Sequence, residues 1–148
     1  MGLILAIAAS GLAASVAASA DSAADVLFAR QTSTQALTFR EGDRHAFAGL
    51  DALFTPEGWT QFLATLQGWR DPNGAPTFSS TFAPIADARV VDERDGFVHV
   101  RIPGTWTQTQ KQSRATYRIA VDVWVGTNPQ RVHRLTETTC LGQSMNCD

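Results

Sequence analysis

Apolar positions recur at the helical period between residues 22 and 68 and at the period of a strand from residue 86 onward. The sharpest helical stretch starts at Thr55. Thr55 suits an N-cap and Pro56 the first helical position, where no amide hydrogen is missed, and Glu57 meets the positive helix end. Trp59, Phe62, Leu63 and Leu66 follow at i, i+3, i+4 and i+7 as one apolar face, and Gly68 ends the helix. Two weaker helices are expected before it. From Ser22 to Thr38, Val26, Leu27 and Leu37 stand among small residues, and Thr32, Ser33 and Thr34 loosen the pattern. After Gly42, Asp43 is placed to cap a second helix with Phe47, Leu50, Leu53 and Phe54 on one stripe.

Asp71-Pro72-Asn73-Gly74 then turns the chain, and alternation takes over. A strand is expected from Ala86 to Asp92, turned back by Arg94-Asp95-Gly96. A second runs from Phe97 to Ile102, with Val98, Val100 and Ile102 on one side and Phe97, His99 and Arg101 on the other. Pro103-Gly104 interrupts it before Thr105 to Gln110, which predicts a bulge or an edge position. After Lys111-Gln112-Ser113 comes the strongest strand, Arg114 to Val125. Tyr117, Ile119, Val121, Val123 and Val125 line one face, while Arg118, Ala120, Asp122 and Trp124 line the other. Gly126 to Pro129 turns the chain into a last strand, Arg131 to Cys140. About three helices followed by about four antiparallel strands predict an α+β fold, with the helices packed on one face of a curved sheet.

The opening twenty residues stand apart, because the first charge is Asp21. Residues 1–20 read as a secretory signal with an Ala18-Ser19-Ala20 cleavage site, as a membrane anchor, or as a soluble Ala-rich helix. The first two readings place residues 21–148, a single domain, outside the cytoplasm. Cys140 and Cys147 are the only cysteines, and an oxidising compartment allows them to pair. With 44% hydrophobic residues, a largely disordered chain is excluded. The net charge of −2 argues against a nucleic-acid partner, whose affinity would rest on phosphate neutralisation.

A search for chemistry finds no G-x-S-x-G, H-E-x-x-H, phosphate-binding G-x-x-x-x-G-K or C-x-x-C. His45, His99 and His133 are isolated; His99 and His133 both fall on strands and could meet across neighbouring ones, but no third metal ligand can be named. No cofactor is implied. Asp122, His99 and Arg101 are candidates for acid–base work if their strand faces look into a pocket, and cross-strand partners on a solvated face if they do not. Basic character is arginine almost throughout, with Lys111 the one lysine. Arginine and tryptophan favour protein interfaces. Trp106 on an edge, with Arg101, is therefore a candidate interface, against ordinary packing.

The block Leu53-Phe54-Thr55-Pro56-Glu57-Gly58-Trp59-Thr60-Gln61-Phe62-Leu63-Ala64-Thr65-Leu66 resembles the F-T-P-x-G-W-x-x-F-x-x-A-L signature of the DotI/IcmL (TraM-like) family, inner-membrane components of type IVB secretion and conjugation systems. Ala36-Leu37-Thr38-Phe39 upstream and Val100-Arg101-Ile102-Pro103 downstream extend the resemblance over about 100 residues, although only F-T-P-x-G-W is specific. The resemblance implies a periplasmic domain of NTF2-like α+β fold that is not an enzyme. Such a domain scaffolds the inner-membrane part of a translocation channel, self-associates and binds other envelope proteins of the system. Phe54, Thr55, Pro56, Gly58, Trp59 and Phe62 then have structural roles. Two other readings stay open: a secreted NTF2-like small-molecule enzyme or binder with Asp122 or His99 turned inward, and an envelope binding module using the Trp106 edge.

Overall fold

A computed structural model describes residues 20–140. Helix α1 (Ala20–Leu37) and helix α2 (Pro56–Gln67) lie against one face of a five-stranded antiparallel sheet. The strands are β1 (Ser79–Pro84), β2 (Arg89–Arg94), β3 (Phe97–Gln110), β4 (Ser113–Thr127) and β5 (Gln130–Thr139). The α+β class holds, with two α-helices instead of about three and five strands instead of about four among the described residues. Among the described residues no helix is long and apolar enough to cross a membrane. Apart from Ala20, the leader or anchor expected over residues 1–20 lies outside the described residues. So does Cys147, the expected partner of Cys140.

The helix expected after Asp43 does not form. Asp43 Oδ1 accepts from the His45 amide, a local turn that competes with helix, and Gly49 adopts φ 80°. Only the short 3-10 segment Leu50–Leu53 follows, and Phe54 is extended. β1 escaped the pattern because its six residues, Ser-Ser-Thr-Phe-Ala-Pro, carry one large apolar side chain. Its register is held by polar bonds instead. Ser80 Oγ donates to the Leu37 carbonyl (2.6 Å) and accepts from Trp106 Nε1 (2.5 Å), and Ser80 bridges Phe39.

Pro103-Gly104 does not interrupt β3, which is the central strand. It pairs with β4 from Phe97↔Gly126 to Gln110↔Ser113. On its other side lie β2, opposite Phe97 to Arg101, and β1, opposite Gly104 to Thr109. Pro103 sits where those two partners abut. Its carbonyl accepts from the Ile85 amide, so its missing N–H faces the β1–β2 junction and β4 loses no bond. Gly104 leaves room for the Phe82 ring, which a Cβ would strike.

The core between helices and sheet is apolar. Val98, Val100 and Ile102 of β3, Val121, Val123 and Val125 of β4, and Val132 and Leu135 of β5 meet Phe62 and Leu66 of α2, Leu37 of α1 and Leu50. Trp69 links this core to a ring cluster with Phe39, Phe78 and Trp106. α1 packs through small and polar side chains. Ala29, Thr32, Ser33 and Ala36 are buried with Ser22 and Asp25, and Ser33 Oγ donates to the Ala29 carbonyl. Its N-terminal turns are fastened to the sheet by Ser22 Oγ on Glu93 (2.5 Å) and by Gln130 Nε2 on Asp25 (2.6 Å).

Candidate interface on the outer face of the sheet

The residues singled out by sequence separate into two places. The first is the start of α2. Thr55 caps the helix by accepting from the Gly58 amide (3.1 Å), and Pro56 occupies the first turn. The Thr55 amide donates to the Val132 carbonyl (2.9 Å), and Phe54 bridges Val132. The segment entering the helix therefore covers the β5 edge at Val132, where it would otherwise be open to pairing with another chain. Gly58 makes the contact possible, since a Cβ there would lie 2.5 Å from the Val132 carbonyl oxygen and 2.7 Å from that of His133. Phe54 stacks on Phe62 (5.2 Å between centroids) and tilts against Trp59 (5.7 Å).

The second place is the sheet face turned away from the helices. Cross-strand neighbours there form three rows. Arg89, Arg101, Asp122 and Thr136 make one; Asp92, His99, Trp124 and Arg134 the next; Arg94, Phe97, Gly126 and Arg131 the third. Asp122 is 5% exposed and fully engaged. Arg101 grips both its oxygens, Nε to Oδ1 at 3.0 Å and a terminal nitrogen to Oδ2 at 3.2 Å, while His99 Nε2 lies 2.7 Å from Oδ1. His99 stacks on Trp124 (4.2 Å, 12°), and the Arg134 guanidinium lies over the same indole at 4.9 Å.

Of the readings open from sequence, Arg101 and Asp122 as cross-strand partners holds, and three others do not. Asp122 and His99 do not face an interior pocket: they lie on the outer face, and apolar side chains fill the space under the helices. His99 and His133 do not meet, because β4 separates their strands; His133 packs on Phe97 (4.7 Å) and lies 3.4 Å from the Thr55 hydroxyl. Trp106 is not on an edge. It is 8% exposed on the central strand, with its indole nitrogen bonded to Ser80. Arg101 does reach the outer surface, although it is spent on Asp122. His45 is exposed in the loop after α1. No group of three metal-ligating side chains comes together among the described residues.

Sequence reasoning overlooked Arg134 and Arg131. They are three apart, yet both lie on the outer face, because β5 carries an extra residue, His133, between the pairs Trp124↔Arg134 and Val125↔Val132. A bulge breaks the period of two on which face assignment rests. Among the described residues Glu137 has a clearly displaced carboxyl: burial on the core side, opposite Val121, pushes its pKa up, partly offset by a backbone hydrogen bond.

No family model matches the chain, and no curated protein matches it in sequence. Solved structures do share its fold. The periplasmic domain of DotI superposes with a TM-score of 0.68 at 16% identity, over 84% of this chain and 99% of that one. An IcmL-like type IV secretion system protein from Legionella pneumophila gives 0.67 at 12% identity, over 83% of this chain and 96% of that one. CagV, a VirB8 homolog of the type IV secretion system of Helicobacter pylori, gives 0.56 at 12%, over 82% and 97%. The second and third of these are type IV secretion system proteins.

Proposed function

We propose that this chain is a non-catalytic scaffold of a type IVB-like secretion or conjugation apparatus, working in the periplasm as part of the inner-membrane complex. The observation that carries this reading is the shared fold over 99% of the DotI domain and 96% of the IcmL-like protein. The F-T-P-E-G-W block supports it, because its residues build the contact between α2 and the β5 edge. In this reading residues 1–20 are an export signal or an anchor, residues 21–148 form the periplasmic domain, and the chain associates with itself and with other envelope proteins.

The test is affinity purification of the tagged chain from crosslinked, detergent-solubilised envelopes of its own cell. Recovery of other secretion-system proteins in a complex much larger than the 16.0 kDa chain is expected. Recovery of the chain alone, in the soluble periplasm and at monomer size, overturns the proposal. Intact-mass analysis of the same sample separates the two N-terminal readings: a mature chain beginning at Asp21 shows a cleaved signal, and an intact start in the membrane fraction shows an anchor.

A further inference from the structure

The outer face of the sheet has its charge left unbalanced. Among the described residues, ion pairs join Arg94 to Asp92, and both Arg101 and His99 to Asp122. Arg89, Arg131 and Arg134, on the same face, have no carboxylate within ion-pair distance among those residues. The asymmetry is wider than this face. Seven carboxylates stand against four arginines in residues 20–78, a net −3; six stand against eight basic side chains in residues 79–140, a net +2. Over a Debye length of about 8 Å a partner at this face senses the local excess and not the charge of the whole chain.

Aromatic side chains lie inside the ring of arginines. Phe97, His99 and Trp124 are each only partly buried, and Arg134 is held over the indole instead of moving freely in solvent. Ordering a guanidinium in advance lowers the entropy cost of each bond it later makes. Gly126 leaves the position next to Phe97 without a side chain, and depressions open on both sides of that ring. One, of 160 Å³, is lined by His99 and Trp124; the other, of 530 Å³, runs past Arg131 to the start of α2. The smaller falls below the roughly 300–1,000 Å³ of a small-molecule site and suits a single side chain. Tryptophan and arginine are the residue types enriched at protein hot spots.

We propose that this face, centred on Trp124, docks an acidic segment of a partner protein, whose carboxylates pair with Arg134, Arg131 and Arg89 while an apolar side chain enters beside Phe97. Asp92 and Asp95 line the smaller depression, so it takes the apolar side chain and not a carboxylate; a nucleic acid, whose phosphates repeat without such an interruption, fits less well. The proposal stands on this surface alone and does not need the secretion-system reading.

The probe is a fluorescently labelled decapeptide of glutamate with one central leucine, titrated into the full chain at low ionic strength and followed by anisotropy and by the tryptophan indole N–H signals in NMR. Saturable binding that shifts the Trp124 signal and weakens with salt is expected. Arg134→Glu should weaken it at least tenfold and Arg134→Lys by less, since charge remains while the planar stack is lost. Arg114→Glu, at the far end of β4, should leave it unchanged. Both Arg134 variants alter an exposed side chain, and an unchanged amide spectrum elsewhere checks their fold. Equal loss in Arg134→Glu and Arg114→Glu overturns the proposal in favour of diffuse attraction. A thymidine decamer binding more tightly than the peptide at Trp124 overturns it in favour of nucleic acid. Concentration-dependent shifts at Trp124 without peptide overturn it in favour of a second copy of this chain.

Discussion

The two faces of the sheet are built from the same alternation along β3 and β4, and they reach opposite ends. On the inner face Val98, Val100, Ile102, Val121, Val123 and Val125 are at most 5% exposed and meet the helices through shape alone. On the outer face the intervening residues His99, Arg101, Asp122 and Trp124 meet through charge, ring stacking and hydrogen bonds. The inner face satisfies itself. The outer face satisfies Asp122 fully and leaves guanidinium groups over, so stability belongs to one side and recognition to the other. Core burial contributes about 25 cal/mol per Å² of apolar area, whereas a partly exposed ion pair contributes about 0–1 kcal/mol.

Truncating the inner layer should therefore have the largest effect. Phe62, 2% exposed, lies in contact with Phe54, Trp59 and Trp69. Phe62→Ala should cost about 3–5 kcal/mol in urea unfolding. Gly58→Ala should cost about 2–3 kcal/mol, because the new methyl meets two carbonyl oxygens of β5 that belong to backbone and cannot rotate away. A neutral Gly58→Ala would mean that the α2–β5 contact is loose, and the F-T-P-E-G-W block would lose its structural explanation.

That block shows what a sequence can disclose. Cap, Pro56, apolar stripe and terminating Gly68 are local signals, and α2 stands where they place it. The strand alternation disclosed both faces of β3 and β4 for the same reason. What stayed hidden depends on partners distant in the chain. The buried side of α1 is Ser22, Asp25, Ala29, Thr32, Ser33 and Ala36, so hydrophobicity gives it little contrast; its fit comes from small size and from bonds to Glu93 and Gln130, up to 105 residues away. Pro103 looks like an interruption until the junction of β1 and β2 is seen opposite it. Trp106 looks like an edge aromatic for the same reason. The candidate interface was half legible: Asp122, His99 and Arg101 could be placed on one face, but the bulge at His133 concealed Arg131 and Arg134.

Asp122→Asn tests the outer face on the same scale. The substitution keeps the shape and removes the charge, and it sets an amide nitrogen or a weaker acceptor against Arg101 and His99. Hydrogen bonds to a charged group are worth about 1.5–3 kcal/mol each when buried. Arg101 and His99 are partly exposed, with side-chain exposures of 27% and 15%, and water replaces part of the loss. The expected cost is about 1–2 kcal/mol, with the chain still folded. A loss as large as that of Phe62→Ala would show that the outer network also holds the fold together, and the division between the faces would fail.

The smallest effect comes from one of the carboxylates that violate the division; Glu93, held by Ser22 of α1, is another. Glu137 lies on the inner side opposite Val121, and burial raises its pKa above the ordinary 4.5 while a backbone hydrogen bond partly restrains the rise. A carboxyl with a raised folded-state pKa holds its proton in the folded chain over a range where the unfolded chain has released it. Stability therefore falls as pH rises through that range, and the full penalty is present above the folded pKa. Below the ordinary carboxylate range both states are protonated and the penalty is gone. Glu137→Gln removes the titration and nearly keeps the shape, so the variant should melt slightly higher than the parent at neutral pH. That advantage should shrink to nothing as the pH falls below about 4. A stability difference that does not change with pH would place the Glu137 carboxylate in solvent.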